Sequence, residues 1–307
     1  MKSIQDIPKD SQVSYVATEH LREWVEGSAV SEVIATSNIE SISAEDANKR
    51  VKPKHPIKDA GWWCRGINWR TGEYLTERYG QFKPNNPHHD PEQDSDAKYL
   101  TASRITPDAV FLKMPGNDNY WQNLYNSLSD PIFWTEGVKK AGAGLSLGLG
   151  TIALTGVWNI GKGKKLAPEV LNWVERGGTQ YLCFDSDYRD KPHCREAIRR
   201  FCNLAREHGT ELRIVSWDAQ WKGMDDFIKA NGKDAFLDSV KVAQLIEQWE
   251  QQFTKDDDKP SKGRPIPRLV AKEIREDFQQ RFKYYNQQQS WRYWNDKYWE
   301  KYDDGSF

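Results

Sequence analysis

Short apolar runs alternate with amphipathic stretches between residues 130 and 229. The apolar runs are rich in aromatic or β-branched side chains and are bounded by polar or glycine-rich sequence, which is typical of strands buried on both faces. The predicted strands are 132–135, 151–155, 181–184 and 212–217, and the predicted helices begin near Val138, at 166–175, at 192–207 and near Asp225. This repetition predicts a parallel sheet with right-handed crossovers.

The pattern differs on either side of this region. Residues 13–50 place apolar side chains on one helical face and predict short helices. From residue 61 to 113 the period of the hydrophobic pattern changes to two residues, which predicts strands. The proline-broken segment 83–96 within this region predicts a mobile loop. We therefore expect an α/β fold with a parallel sheet of about four strands flanked by helices, preceded by a smaller α+β domain and followed by a helical, aromatic-rich tail. The expected boundaries are 1–58 (helical segment), 59–125 (small β-rich domain), 126–240 (α/β domain) and 241–307 (helical linker and tail).

Composition limits the class of protein. Only 37% of the 307 residues are hydrophobic, and no apolar run approaches the roughly 18 residues that a membrane span needs. The first eight residues lack the apolar stretch of a signal peptide. The four cysteines form no C-x-x-C pair, so we expect buried thiols. We expect a soluble, cytoplasmic protein with no membrane partner.

Acidic residues follow the predicted strands. Glu136 follows the first strand, and Asp185 and Asp187 follow the third. The carboxyl ends of parallel strands open into a crevice, so we expect these carboxylates to converge there. They would repel one another unless a hard divalent cation such as Mg²⁺ neutralised them. Asp225 or Asp226, just beyond the fourth strand, reaches the same rim, although strand-end caps and turns also favour aspartate.

Basic residues are unevenly placed although the net charge is -1. The stretch 49–70, here called the basic stretch, interleaves Lys52, Lys54, Lys58 and Arg65 with Trp62, Trp63 and Trp69. This mixture suits phosphate contact with base stacking, and a solvated basic loop is the alternative. Residues 156–162 fit G-x-x-x-x-G-K, but Gly163 replaces the Ser or Thr of a P-loop. We expect a basic turn in which Lys162 and Lys164 contact nucleic-acid phosphate.

Three segments together carry a family resemblance: IFWTEG at 132–137, FDSD at 184–187 and KGMDD at 222–226. Their order and spacing resemble the Toprim domain of DnaG-type primases, topoisomerases and some nucleases. The chain is most similar to Toprim-like primase and primase-helicase proteins of cyanobacterial plasmids and phages. KYL at 98–100 and FLK at 111–113 resemble the segment preceding Toprim in these primases. The resemblance covers about residues 60–235.

The resemblance implies roles for individual residues. Glu136 would be a general acid/base or metal ligand, and Asp185 and Asp187 would hold Mg²⁺, or alternatively Mn²⁺. Apart from the resemblance, we expect Asp225 at the same rim to be a further ligand, and Lys139 and Lys222 to bind nucleic acid or nucleotide. The chain departs from the primase pattern at 139–140, where Lys-Lys replaces an acid, and at Ser186 and Tyr188, where glycine is usual.

The implied function is that of a Mg²⁺-dependent, primase-like nucleotidyl transferase in replication of a plasmid, phage or other mobile element. Its partners would be a single-stranded DNA template and nucleoside triphosphates. A Toprim nuclease and a non-catalytic nucleic-acid-binding or docking module are the alternatives. The aromatic tail predicts docking to a helicase or another replication subunit, through Trp291, Tyr293, Trp294, Tyr298 and Trp299.

Overall fold

The computed structural model describes residues 15–92, 94–105 and 108–253, together with the backbone of three strands between 282 and 301. The chain divides into two compact units, Met1–Gln252 and Phe253–Phe307, which we describe separately. Across the described residues, every helix is too short or too polar to cross a bilayer.

The first unit begins with an antiparallel sheet and its helices. Its elements are α1 (Thr18–Ser28), α2 (Glu32–Asn38), β1 (Ile39–Ile42), α3 (Ala44–Val51), β2 (Gly61–Arg65), β3 (Gly80–Pro84), β4 (His88–Asp90), β5 (Ser95–Ala97), β6 (Leu100–Thr101) and α4 (Tyr120–Asn126). The sheet order is β1-β2-β3-β6, and β4 pairs with β5. The N-terminal segment is therefore not purely helical. Strand β1 escaped the prediction because it is only four residues long, too short to show a clear alternation.

The segment 83–96 is not the loop that its prolines suggested. It contains the end of β3 and the hairpin β4–β5, in which His88 lies opposite Ala97. Pro87 and Pro91 flank β4 and do not interrupt it. Proline is compatible with a strand at these flanking positions because no ladder hydrogen bond is lost there.

The tryptophans of the basic stretch lie in the core. Trp62 and Trp63 are fully buried, and Trp69 is 6% exposed. Trp62 packs edge-on against Trp24 of α1, with ring centroids 5.3 Å apart. The predicted use of these three rings for base stacking is therefore wrong, since burying them in the core removes their faces from any nucleic acid.

The parallel sheet follows. Its segment contains β7 (Ile132–Glu136), α5 (Val138–Ser146), β8 (Gly150–Leu154), β9 (Gly161–Lys162), β10 (Lys165–Leu166), α6 (Pro168–Glu175), β11 (Gln180–Cys183), a 3₁₀ helix (Ser186–Arg189), α7 (Pro192–Glu207), β12 (Leu212–Ile214), α8 (Met224–Lys241) and α9 (Ile246–Glu250). Strands β12-β11-β7-β8 form one sheet in which all neighbours are parallel. The predicted four-stranded α/β arrangement is confirmed.

Helix α5 lies unusually close to β8. A Cβ on Gly144 would be 2.0 Å from Thr151 Oγ1, so only glycine permits this approach. The contact fixes α5, whose first turn carries Lys139 and Lys140, against the sheet.

The second unit contains β13 (Phe282–Tyr285), β14 (Ser290–Trp294) and β15 (Trp299–Lys301), which form an antiparallel sheet. The predicted helical tail is wrong at these residues. Aromatic residues favour strands, and the alternation of Trp291, Arg292 and Tyr293 has the strand period. Residues 254–281 of the predicted helical linker and tail lie outside the described residues, as does Tyr298.

Candidate active-site cleft

One cleft of about 250 Å³ gathers side chains from the parallel sheet and from the sheet β1-β2-β3-β6 of the first unit. The parallel sheet and its helices contribute three carboxylates, those of Glu136, Asp185 and Asp225, and three lysines, Lys139, Lys140 and Lys222. Gln81 of β3, with Lys98 and Tyr99 just before β6, faces them. The cleft therefore places clustered acids opposite a glutamine, a lysine and an aromatic ring.

The carboxylates meet because β7 and β11 are neighbours. Thr135 pairs with Cys183, so the two strands end side by side, and Glu136 and Asp185 follow at the same edge. The Asp185 loop is tied to the segment before α8: the Ser186 N–H donates to the Lys222 carbonyl at 2.8 Å, and Ser186 Oγ donates to the Trp221 carbonyl at 2.9 Å. These bonds hold the backbone of Lys222 beside the acids.

Asp185 and Asp225 are the most buried of these acids, and each is 6% exposed. Lys140 Nζ lies 2.9 Å from Asp185 Oδ1, and Lys222 Nζ lies 3.6 Å from Oδ2. Burial raises the pKa of Asp185 above its usual value, although both ammonium groups oppose that rise. The ion pairs thus offset part of the cost of burying this charge.

Glu136 has a perturbed environment of its own. Burial raises its pKa, and the negative charges of Asp185 and Asp187 raise it further, while Lys140 and Lys222 act in the opposite direction. A carboxylate with a raised pKa is a better proton acceptor, so Glu136 is suited to general acid/base work.

Asp187 and Asp226 do not line the cleft itself. Asp187 Oδ2 lies 2.5 Å from Lys191 Nζ and 3.7 Å from Lys222 Nζ, at the edge of the cleft. Asp226 Oδ2 accepts a 3.1 Å hydrogen bond from the Gly223 N–H and thereby caps α8. Of the two candidates, Asp225 therefore lines the cleft.

The donor chemistry fits a hard divalent cation, because carboxylate oxygens at neighbouring strand ends are the ligands that Mg²⁺ prefers. In the described part of the chain, however, no group of three or more His, Cys, Asp or Glu side chains is already arranged around a metal position. Lysine ammonium groups take up part of the negative charge instead. The proposed ligands Glu136, Asp185, Asp187 and Asp225 remain predictions.

Lys139 is held by a partly buried acid of α1. Glu23 of α1 accepts from Lys139 Nζ at 2.9 Å, Lys83 Nζ at 3.0 Å and Trp62 Nε1 at 3.0 Å. Burial opposes ionisation of Glu23, but these three partners together lower its pKa below the usual value. Glu23 thus links α1, β2, β3 and α5 beside the cleft.

The other predicted nucleic-acid contacts lie outside the cleft. Lys54 pairs with Glu92, and Arg65 Nε donates to the Leu75 carbonyl at 2.7 Å. Lys58 lines a second cavity of about 380 Å³. Lys52 ends α3, and Lys162 and Lys164 lie in the β9–β10 hairpin. Their roles in nucleic-acid binding remain predictions.

Several cleft residues were not predicted as site residues. Gln81 is 2% exposed, and its Oε1 is buried without a hydrogen-bond partner. In the sequence, Lys98 and Tyr99 belong only to the family resemblance, and Lys140 only to a departure from it. Gln81 gives no sequence signal, because a single glutamine in a strand does not reveal that it faces a cleft between two sheets.

The chain is similar to several known proteins. A family model described as a domain of unknown function, DUF3854, matches residues 120–235. An uncharacterized protein of Picosynechococcus sp. is 28% identical over 298 residues, and this chain spans only 30% of that relative's length.

Solved structures show the fold. The catalytic core of E. coli primase aligns with a TM-score of 0.50 at 15% identity, covering 78% of this chain and 80% of that one. The zinc-binding and RNA polymerase domains of Aquifex aeolicus primase align with a TM-score of 0.48 at 13% identity, covering 84% of this chain and 59% of that one. The parallel sheet and its helices thus have the fold found in DnaG-type primase catalytic cores.

Proposed function

We propose that this chain is a Mg²⁺-dependent, DNA primase-like nucleotidyl transferase acting in the replication of a plasmid, phage or other mobile element. The observation that supports the proposal best is the single cleft in which Glu136, Asp185 and Asp225 face Lys98 and Tyr99. Phosphoryl transfer needs such a combination, since negative charge must be bound and a hydroxyl proton removed. The fold is compatible with this activity.

Mg²⁺, or Mn²⁺, would be held by Glu136, Asp185 and Asp187, with Asp225 as a further candidate ligand. When bound, a divalent cation supplies charge stabilisation to the phosphoryl group and the leaving pyrophosphate.

The protein's own groups would do the rest. Glu136, with its raised pKa, would take the proton of the attacking 3′-hydroxyl at a carboxylate oxygen. Lys98, Lys139 and Lys222 would bind phosphates of template and nucleotide. Tyr99 is 39% exposed and presents a ring at the cleft on which a base can stack.

The proposed partners are single-stranded DNA and nucleoside triphosphates, with a helicase or other replication subunit docking on the aromatic tail. The relative from Picosynechococcus sp. is about three times as long as this chain, which leaves room for such a partner within one polypeptide. The docking role is a proposal from the aromatic composition of the tail.

The test is an incubation with single-stranded template, labelled nucleoside triphosphates and Mg²⁺. Newly lengthened products support the primase-like activity, shortening of the template indicates a nuclease, and binding without either indicates a non-catalytic module.

Glu136→Gln should lower the rate about 10²–10⁴-fold, the usual contribution of a general acid/base. The matched control is Glu175→Gln, since Glu175 is an exposed glutamate paired with His208 outside the cleft. Equal loss of activity in both variants would contradict the assignment of Glu136.

A further inference from the structure

Lys140 is an enclosed cation among the cleft carboxylates. Its side chain is only 19% exposed, and its Nζ lies 2.9 Å from Asp185 Oδ1. It lines the same cleft as Glu136 and Asp225. Lys222, the other lysine beside Asp185, is 61% exposed at a longer distance of 3.6 Å. Lys222 can therefore move into solvent, whereas Lys140 is held in place.

The backbone beside Lys140 is shaped to admit it. A Cβ on Gly223 would lie 2.4 Å from Lys140 Cε and 2.3 Å from Asp225 Oδ1. The absence of a side chain at Gly223 therefore lets Lys140 and Asp225 approach the same point. Burial of an ammonium group is costly unless acids surround it, and here Asp185, Asp225 and Glu136 do so.

We infer that the Lys140 ammonium is a resident cation that takes the place of one divalent ion between Asp185 and Asp225. Consequently a single divalent ion binds, between Glu136, Asp185 and Asp187 at the edge of the cleft. The inference rests on the proposed function, because it specifies the cation content of that site. Lys140 is here a positioning residue, since it acts on substrate only through the acids that it neutralises.

The experiment measures cation binding separately from activity. The full chain is stripped with EDTA and titrated calorimetrically with MnCl₂. Wild type should bind one equivalent. Lys140→Met removes the charge but keeps a similar unbranched length, so it should bind an additional equivalent or bind Mn²⁺ about tenfold or more tightly, because a positive charge a few ångströms from the ion is gone.

Two further variants separate charge from packing. Lys140→Arg retains a cation and should keep the wild-type Mn²⁺ stoichiometry. Lys139→Met removes the neighbouring lysine, which pairs with Glu23 instead of Asp185, and should also leave stoichiometry unchanged. Unchanged stoichiometry and affinity in Lys140→Met, or equal changes in Lys139→Met, would overturn the inference.

Thermal unfolding covers the case in which Lys140→Met folds poorly. In EDTA the variant should melt at a lower temperature than wild type, and Mn²⁺ should raise its melting temperature more than that of wild type. A variant that stays unfolded at saturating Mn²⁺ would refute the inference, since the ion then could not replace the ammonium.

The outcomes also separate this inference from the proposed function. An inactive wild type with the expected difference in Mn²⁺ binding would refute the function and leave the role of Lys140 standing. Primer synthesis by wild type with identical Mn²⁺ binding in Lys140→Met would do the reverse.

Discussion

The basic stretch and the cleft lysines differ in how their charges are arranged. The basic stretch concentrates its cations within 22 consecutive residues, 49–70. In the structure these cations spread over a helix end, a loop and a strand, and some are already paired, as Lys54 is with Glu92. The cleft lysines come from distant points of the sequence and line one cavity.

The comparison shows that charge density along a sequence is a weaker guide to a site than convergence in space. Lys98, Lys139 and Lys222 are separated by dozens of residues, yet the parallel sheet and the antiparallel sheet place them on opposite sides of the same carboxylates. Lysines that converge on one cleft can act together on a single phosphate-bearing ligand, whereas scattered surface cations act one at a time.

The strongest test of the comparison removes two cleft lysines. Lys98→Ala combined with Lys222→Ala should weaken single-stranded DNA binding about tenfold, because two phosphate contacts are lost. For the same reason the salt slope, which is the slope of the logarithm of the binding constant against the logarithm of the salt concentration, should fall in magnitude by about 1–2. Fluorescence anisotropy over a series of salt concentrations measures both quantities. Lys241→Ala is a suitable control, since Lys241 is exposed and pairs only with Asp238 among the contacts described. Wild-type affinity and salt slope in the double variant would show that the cleft lysines do not bind nucleic acid.

The fold was largely predictable because the strongest sequence pattern is local. Each strand of the parallel sheet is a short apolar run, and helix α7 agrees with the predicted 192–207. The errors lie where the pattern is short or ambiguous. Strand β1 and the hairpin β4–β5 gain their stability from pairing with other segments, which local periodicity does not show.

The site was predictable in half of its parts. The acids stand at strand ends, where topology alone predicts convergence, and the cleft contains Glu136, Asp185 and Asp225. The opposite wall depends on how two sheets pack, so the place of Gln81 emerges only from the structure. The ion pair between Lys140 and Asp185 likewise has no signal in the sequence. The prediction that Trp62, Trp63 and Trp69 stack on bases was wrong because sequence does not distinguish a core aromatic from a stacking platform.

A smaller effect is expected on the pH dependence of folding stability, which should distinguish the cleft acid Glu136 from exposed acids. Burial and the neighbouring acids raise the folded-state pKa of Glu136 above the ordinary 4.5. Its protonated form therefore contributes stability that is fully present below the unfolded-state pKa and is lost as pH rises through the folded-state pKa. A glutamine side chain at this position has no charge to acquire, so Glu136→Gln should gain stability relative to wild type as pH rises through the folded-state pKa of Glu136.

Urea unfolding of wild type and Glu136→Gln at a series of pH values measures this difference. The gain should be small at acidic pH and reach a plateau above the folded-state pKa of Glu136. A difference that is constant with pH, or that favours wild type as pH rises, would show that Glu136 is not a destabilised anion in the cleft.

The smallest expected effect concerns the basic stretch itself. Lys52→Ala, Lys54→Ala and Lys58→Ala together should weaken single-stranded DNA binding only about two- to threefold, with a smaller change in salt slope than the cleft double variant. The reason is that Lys54 must first give up Glu92, and exposed, partly paired cations gain little from one more phosphate. The same anisotropy series measures both variants. A loss as large as that of the double variant would mean that the basic stretch binds nucleic acid as strongly as the cleft does, and that its density in sequence was the better guide.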